Sequence, residues 1–312
     1  IEDVKSINPK LTCGVKVFMG ASTGNMLVDA PKILEMIFSS TPLLVATHCE
    51  DTPTIREQES LALEKWGEDI PMREHPNIRS EEACYLSSSF AVGLAKKHGT
   101  KLHVLHLTTA REMELFEAGP IEEKKITAEA CVHHLFFSDS DYEERGTFIK
   151  CNPAIKSKED RDAIVQAVNE DRIDVIATDH APHTLEEKRN NYLRAPSGMP
   201  LAQDSLVSLF DKVNSGIFAV EKVVEKTSHA PAKLYEVSER GFLREGYYAD
   251  LVLISPSNKK SDREIFSKCG WSPFSGHHFA NEVSATWVNG SLRYENGKIL
   301  SGPCGKAMEY KR

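Results

Sequence analysis

Between Leu11 and Thr178 short apolar runs alternate with longer helical patterns, and this alternation restricts the fold more than any other feature of the 312-residue chain. Gly14–Met19, Leu43–Thr47, Leu102–Leu107, Ile126–Cys131 and Ile173–Thr178 read as strands. Helical patterns run near Ala30–Ser39, from about Ser80 to Lys97, as a short piece over Ala110–Ala118, and over Lys158–Asn169; a polar stretch fills the chain up to about Ile78. Apolar strands separated by helices indicate parallel βα units. The expected class is α/β, a TIM-type (β/α)8 barrel. A closed barrel needs eight strands and five are legible, so three are expected upstream of Ile1. The chain opens Ile-Glu-Asp-Val rather than with Met, and the expectation is that it is the later part of a longer polypeptide.

From Gly246 the texture changes. Ala249–Ile254 and Val283–Val288 read as strands, and Asn289-Gly290 before Ser291–Tyr294 is a strong hairpin signal. The expected organisation is a partial barrel over residues 1–245 and a small accessory β-sandwich segment with a tail over 246–312. A net charge of −8 argues against a nucleic-acid binder. No apolar run is long enough for a membrane span, and no signal peptide is visible. Seven cysteines without disulfide-like spacing suggest reduced thiols and a cytoplasmic setting. No Cys-x-x-Cys pair occurs, so a thiolate zinc site is not expected.

The strand ends carry the chemistry. Asp179, in Ala177-Thr178-Asp179-His180-Ala181-Pro182-His183, follows the last strand; His48 ends the second and His106 the third; Lys16 lies within the first. In a parallel barrel catalytic groups collect at this rim, because side chains fill the interior below it. Two neutral imidazoles and a carboxylate suit zinc or a similar divalent ion. An ammonium has donors and no acceptor, so Lys16 cannot ligate as it stands. Burial can free the amine, which then reacts with carbon dioxide to give a two-oxygen carbamate able to bridge metals. Plainer readings stand beside these. Lys16 could snorkel to the rim, and either histidine could be a satisfied core residue. His103 competes with His106; strand alternation puts the two on opposite faces, and the strand-end position favours His106.

Gly14–Gly20, Thr47-His48-Cys49-Glu50, His106-Leu107-Thr108-Thr109, Asn152-Pro153-Ala154-Ile155-Lys156 and the Asp179–His183 run, in this order, resemble dihydroorotase, in the cyclic-amidohydrolase branch of the amidohydrolase superfamily. Gly246–Val252 and Val288-Asn289-Gly290 resemble the accessory β-sandwich segment of those enzymes. The resemblance implies reversible hydrolysis of the cyclic amide of (S)-dihydroorotate to N-carbamoyl-L-aspartate, in pyrimidine biosynthesis, by a binuclear-metal hydroxide mechanism. It implies two divalent ions, zinc by preference, and carbon dioxide held as a lysine carbamate. Lys16 matches the carboxylated lysine that bridges the two ions, and His48 and His106 match the histidines on the more exposed one. Asp179 matches the aspartate that touches the other ion and shuttles the proton. Asn152 and His183 match substrate contacts, and Gly198 matches a backbone contact to the pyrimidine ring. The family's His-x-His and its substrate-binding Arg have no counterpart in this sequence. The expected partner is a small-molecule substrate, with a homo-oligomer left open. The rivals are a dihydropyrimidinase, hydantoinase or allantoinase and, in another class, a non-catalytic scaffold on the same fold.

Other features read more plainly. His133-His134 resembles a family motif but suggests packing rather than metal ligation. His277-His278 reads as solvated loop, His75 as surface, and Glu186-Glu187-Lys188-Arg189 as a solvated charged turn. Gly20–Gly24 lacks the ending of a phosphate cradle and reads as a mobile loop near the substrate.

Overall fold

The computed structural model describes residues 1–20, 26–257 and 264–312; the loop expected over Gly20–Gly24 lies, beyond Gly20, outside the described residues. Five strands pair in parallel in strict chain order: β1 (Val15–Phe18), β2 (Val45–His48), β3 (Leu102–Val104), β4 (Ile126–Cys131) and β5 (Val175–Ala177). Parallel neighbours need crossovers. These carry helices α1 (Pro31–Ser40), α2 (Thr52–Trp66), α3 (Glu81–His98) and α4 (Lys158–Asn169). The expected α/β arc is present.

Register decides which side chains face the chemistry. Lys16 pairs with Ala46, Ala46 with His103, His103 with Thr127, and Phe18 with His48. Side chains alternate along a strand, so Lys16, Phe18, His48, His103, Thr127 and Glu129 share one face. Val17, Val45, Leu102, Val104, Ala128, Ala130 and Ile176 take the other, where they are buried in one apolar cluster with residues of α1, α3 and α4. Helices therefore cover the apolar face, and the polar face is left for function.

Three local expectations change. The polar stretch holds the 15-residue helix α2, capped by Asp51 Oδ2, which accepts from Thr54 N at 3.0 Å, and closed by Gly67 at φ 60°. Only Thr52, Ile55 and Ala62 of α2 are buried, a stripe too thin to show as a period. The strand expected to Leu107 stops at Val104, and the helix expected over Ala110–Ala118 is a 3-10 turn, Arg111–Leu115.

In the tail β6 (Leu251–Pro256), β7 (Asn281–Val288), β8 (Ser291–Glu295) and β9 (Lys298–Ile299) form one antiparallel sheet in chain order. The β7–β8 turn places Asn289 at φ 50° and Gly290 at φ 78°, the left-handed pair that a two-residue hairpin requires. Among the described residues the accessory segment is this single sheet. It meets helix α5 (Ser205–Asn214), where Asn214 Nδ2 donates to Asn281 Oδ1 at 2.6 Å. No helix of the described residues is long and apolar enough to cross a membrane.

Candidate active site

His48 ends β2 and is buried. His106 stands two residues beyond β3 with φ 40°, a conformation rarely adopted outside glycine. The Leu105 N–H donates to Thr47 O at 3.0 Å and the Leu107 N–H to Glu129 O at 2.8 Å, which fixes the backbone on both sides of the kink. His48 Nδ1 thereby comes within 3.1 Å of His106 Nε2. Two nitrogens each about 2.0–2.1 Å from a tetrahedral zinc ion would stand about 3.4 Å apart, so the pair fits one edge of a metal site. Burial, followed by the His48 charge, pushes the His106 imidazole down to about 4. The neutral ring therefore offers one nitrogen lone pair at neutral pH, as ligation demands.

Behind His48 stands a carboxylate. His48 Nε2 lies 3.0 Å from Glu50 Oε2, and the Arg79 guanidinium donates to the same oxygen at 2.5 Å. Burial works to raise the Glu50 carboxyl, but Arg79 and then His48 outweigh it and bring it down to about 2. A carboxylate behind a ligating imidazole fixes ring orientation and tautomer. Gly20 lets the two chain segments meet: a Cβ there would stand 1.9 Å from the Glu50 backbone O.

Asp179 follows β5 by two residues and is also kinked, at φ 47°. Burial raises its carboxyl, and the charges of His106, His133, Lys16 and His48, in that order, lower it below the usual value. The four groups expected at the metal centre thus act on one another electrostatically, and His48 and His106 are in contact. Lys16 differs from expectation in its surroundings. It is exposed, with Nζ 4.7 Å from the Phe18 ring centre, because among the described residues β1 has a sheet neighbour on one side only. His103 is committed elsewhere: Nδ1 is 2.9 Å from Thr127 Oγ1 and Nε2 3.3 Å from Glu129 Oε2. The choice of His106 over His103 therefore follows from the backbone kink after β3, since His103 also lies on the polar face.

The three substrate-contact candidates sit on segments tied to one another. Asn152 precedes a cis proline, and its Oδ1 is buried without a hydrogen-bond partner. Gly198 has φ 142°, and a Cβ there would stand 2.6 Å from Ala181 O and 3.0 Å from His183 Cδ2. His183 is held through its carbonyl, which accepts from Trp271 Nε1 at 2.8 Å. Gly198 N donates to Lys150 O at 2.9 Å, and Lys188 Nζ donates to Lys150 O, Pro196 O and Gly198 O at 3.3, 2.8 and 3.0 Å.

The sequence reading missed several of these groups. Lys188, read as part of a solvated turn, is fully buried, and burial pushes its ammonium down to about 7. His75, read as surface, is fully buried between Tyr192 Oη at 3.0 Å and Cys151 O at 2.8 Å. His277, read as solvated, stands 2.7 Å from Asp211 Oδ2. Glu50 lay inside a quoted motif, but nothing in the sequence signals Arg79 as its partner. A cavity of about 610 Å³ between α5 and the tail sheet is lined by none of the candidate residues, so cavity size does not mark this site.

The profile described as "Amidohydrolase family" matches residues 42–293. The chain belongs to the amidohydrolase family. This amidohydrolase is 32% identical over 269 residues to the dihydroorotase of Halobacterium salinarum, an alignment spanning 84% of the chain and 60% of that protein. It is 30% identical to the dihydroorotase of Pyrococcus furiosus, over 95% of the chain and 64% of the relative. It is also 30% identical to the dihydroorotase of Methanosarcina mazei, over 94% and 68%. The chain thus spans about three-fifths to two-thirds of the length of these relatives. Among solved structures it is similar to the L-hydantoinase (dihydropyrimidinase) from Arthrobacter aurescens, with a TM-score of 0.83 at 24% identity, covering 93% of the chain and 66% of that structure. The dihydropyrimidinase from Brevibacillus agri NCHU1002 gives a TM-score of 0.80 at 22% identity, covering 96% and 67%. At such identities these structures speak to the fold alone.

Proposed function

We propose that this amidohydrolase carries the centre of a dihydroorotase, opening the cyclic amide of dihydroorotate to N-carbamoyl-L-aspartate and closing it again. The observation that carries this reading is the 3.1 Å approach of His48 Nδ1 to His106 Nε2 beside the ionised Asp179, in a chain whose sequence relatives are dihydroorotases. His48, His106, Asp179 and Lys16 would contribute ligands to a centre of two divalent ions, zinc suiting the imidazoles and Lys16 entering as a carbamate; the family's His-x-His is not in this sequence. When bound, such ions lower the pKa of water toward about 7 and polarise the carbonyl under attack. Asp179 takes a proton from the attacking water and passes it to the ring nitrogen as the amide bond breaks, acting as base and then as acid. Ring closure reverses the transfer. Asn152 and His183 bind the substrate, and Gly198, whose missing Cβ lets Ala181 and His183 pack against it, presents backbone to the ring. The barrel residues up to 245 would form the catalytic unit and residues 246–312 the accessory one. The seven free cysteines, four of them buried, are in keeping with a reducing, cytoplasmic setting.

A paired assay tests the substrate. Protein supplied with zinc and bicarbonate is given dihydroorotate, dihydrouracil, hydantoin and allantoin in parallel. Turnover of dihydroorotate well above the others is expected. Preference for dihydrouracil or hydantoin would move the assignment to the dihydropyrimidinases, and turnover of none, with no metal bound, would leave a scaffold.

A further inference from the structure

Beyond the histidine pair, β4 ends in a second group of ligating side chains that the proposed reaction does not use. Cys131, His133 and His134 are all buried, and one potential ligand atom from each lies within 4.8 Å of the others. We propose that Cys131, His133 and His134 form an additional binding site for a soft divalent cation of the zinc type.

The hydrogen-bond inventory supports this. His134 Nε2 faces Pro153 O at 3.1 Å; since a carbonyl only accepts, Nε2 carries the proton and Nδ1 is left as a bare lone pair. That Nδ1 is buried with no partner. An imidazole whose one nitrogen donates to a backbone carbonyl while the other is free has the form of a metal ligand. Both ring nitrogens of His133 are likewise buried and unpartnered, although buried polar atoms nearly always find partners. The two rings are tilted by 48° to each other, with centroids 3.9 Å apart. The Cys131 thiol makes a long contact, 3.9 Å, to Glu129 Oε1.

Chemistry selects the ion. One sulfur and two imidazole nitrogens suit zinc or cobalt and are a poor set for magnesium or calcium. Three protein ligands leave a fourth position for water or another small donor. Ligation releases the thiol proton to solvent, so a divalent ion with one thiolate leaves a single positive charge. The Glu129 carboxylate beside the sulfur offsets that charge. Zinc–ligand distances of about 2.0–2.3 Å require the three donors to draw in by rotamer adjustment from their present spacing.

Cobalt(II) titration to saturation, followed by absorbance, tests the site without an activity readout. Wild-type protein is expected to develop a near-ultraviolet thiolate-to-cobalt charge-transfer band, and His48→Ala to keep it. Cys131→Ser should lose the band and bind one ion fewer per chain, and His133→Ala should weaken cobalt binding by tenfold or more. Because Cys131→Ser could disturb folding, zinc X-ray absorption on the wild type provides a second reading, with a sulfur shell near about 2.3 Å expected. Absence of the band and of a sulfur shell in the wild type overturns the proposal, as does a band unchanged in a folded Cys131→Ser variant. Failure of the dihydroorotase reading would leave these outcomes untouched.

Discussion

The Arg79 guanidinium donates to Glu50 Oε2 at 2.5 Å, and His48 Nε2 stands 3.0 Å from the same oxygen. One buried carboxylate is thus shared by a permanent cation and a candidate metal ligand. Glu50→Gln keeps the shape and removes the charge. It removes one countercharge from Arg79 and the orienting group from His48. A loss of 10- to 100-fold in zinc affinity is expected, the usual effect of removing a partner behind a metal ligand. Isothermal titration with zinc reads this directly, and unchanged affinity would show that Glu50 serves packing alone.

Asp179 is expected to be the residue whose charge the reaction cannot spare. Asp179→Asn should lower dihydroorotate turnover by about 10²- to 10⁴-fold, the range associated with losing a positioned acid–base group. Metal content measured by atomic emission should stay close to the wild type. Near-normal turnover in the variant would remove the proton-transfer role.

Lys188 fastens three backbone carbonyls from the segments around Lys150 and Gly198. Lys188→Met fills most of the space but leaves Pro196 O and Gly198 O without that donor, while Lys150 O keeps the Gly198 N–H, at about 1–3 kcal/mol for each buried group left unsatisfied. Relief from burying an ammonium offsets part of this. A net destabilisation of about 3 kcal/mol in urea unfolding is expected. It should come with a raised KM and a smaller change in kcat, since the Gly198 backbone loses its anchor while Asp179 is untouched. Equal stability and equal KM would contradict the fastening role.

His75 gives the fold an acid limit. Burial, then the Arg79 and Lys150 charges, hold its imidazole well below the usual histidine value, so the folded protein keeps it neutral where the unfolded chain takes up a proton. Stability is therefore complete above about pH 6.5 and declines as pH falls from there toward the folded value, by about 1.4 kcal/mol per pH unit for this group. Urea unfolding at pH 7.5, 6.0 and 5.0 should show a shallower decline in His75→Gln than in the wild type. Identical slopes would place the acid sensitivity in other groups.

How far the sequence could be read is clear from particular residues. The strand Ile126–Cys131 and the helix Lys158–Asn169 have the bounds that their patterns predict. The helix start is marked by Ser157, which accepts from Asp160 N at 3.1 Å, a local signal. The positions of His48, His106 and Asp179 at or just past strand ends were legible because strand ends are visible in sequence. His75 was not, because its partners Tyr192 and Cys151 lie 117 and 76 residues away. Lys188 looked like surface because its compensating acceptors are carbonyls, which no residue letter announces. Lys16 was read as lying within an apolar strand, and its exposure follows from β1 having a sheet neighbour on one side only among the described residues.

The left-handed turns at His106 and Asp179 carry a consequence for ligand affinity. Each costs on the order of 1–3 kcal/mol and persists only because the surrounding backbone dictates it. That distortion is already in place when the chain finishes folding. An ion bound between them would meet imidazole and carboxylate aimed in advance, so the free energy of association would go into bonds rather than into bending the polypeptide.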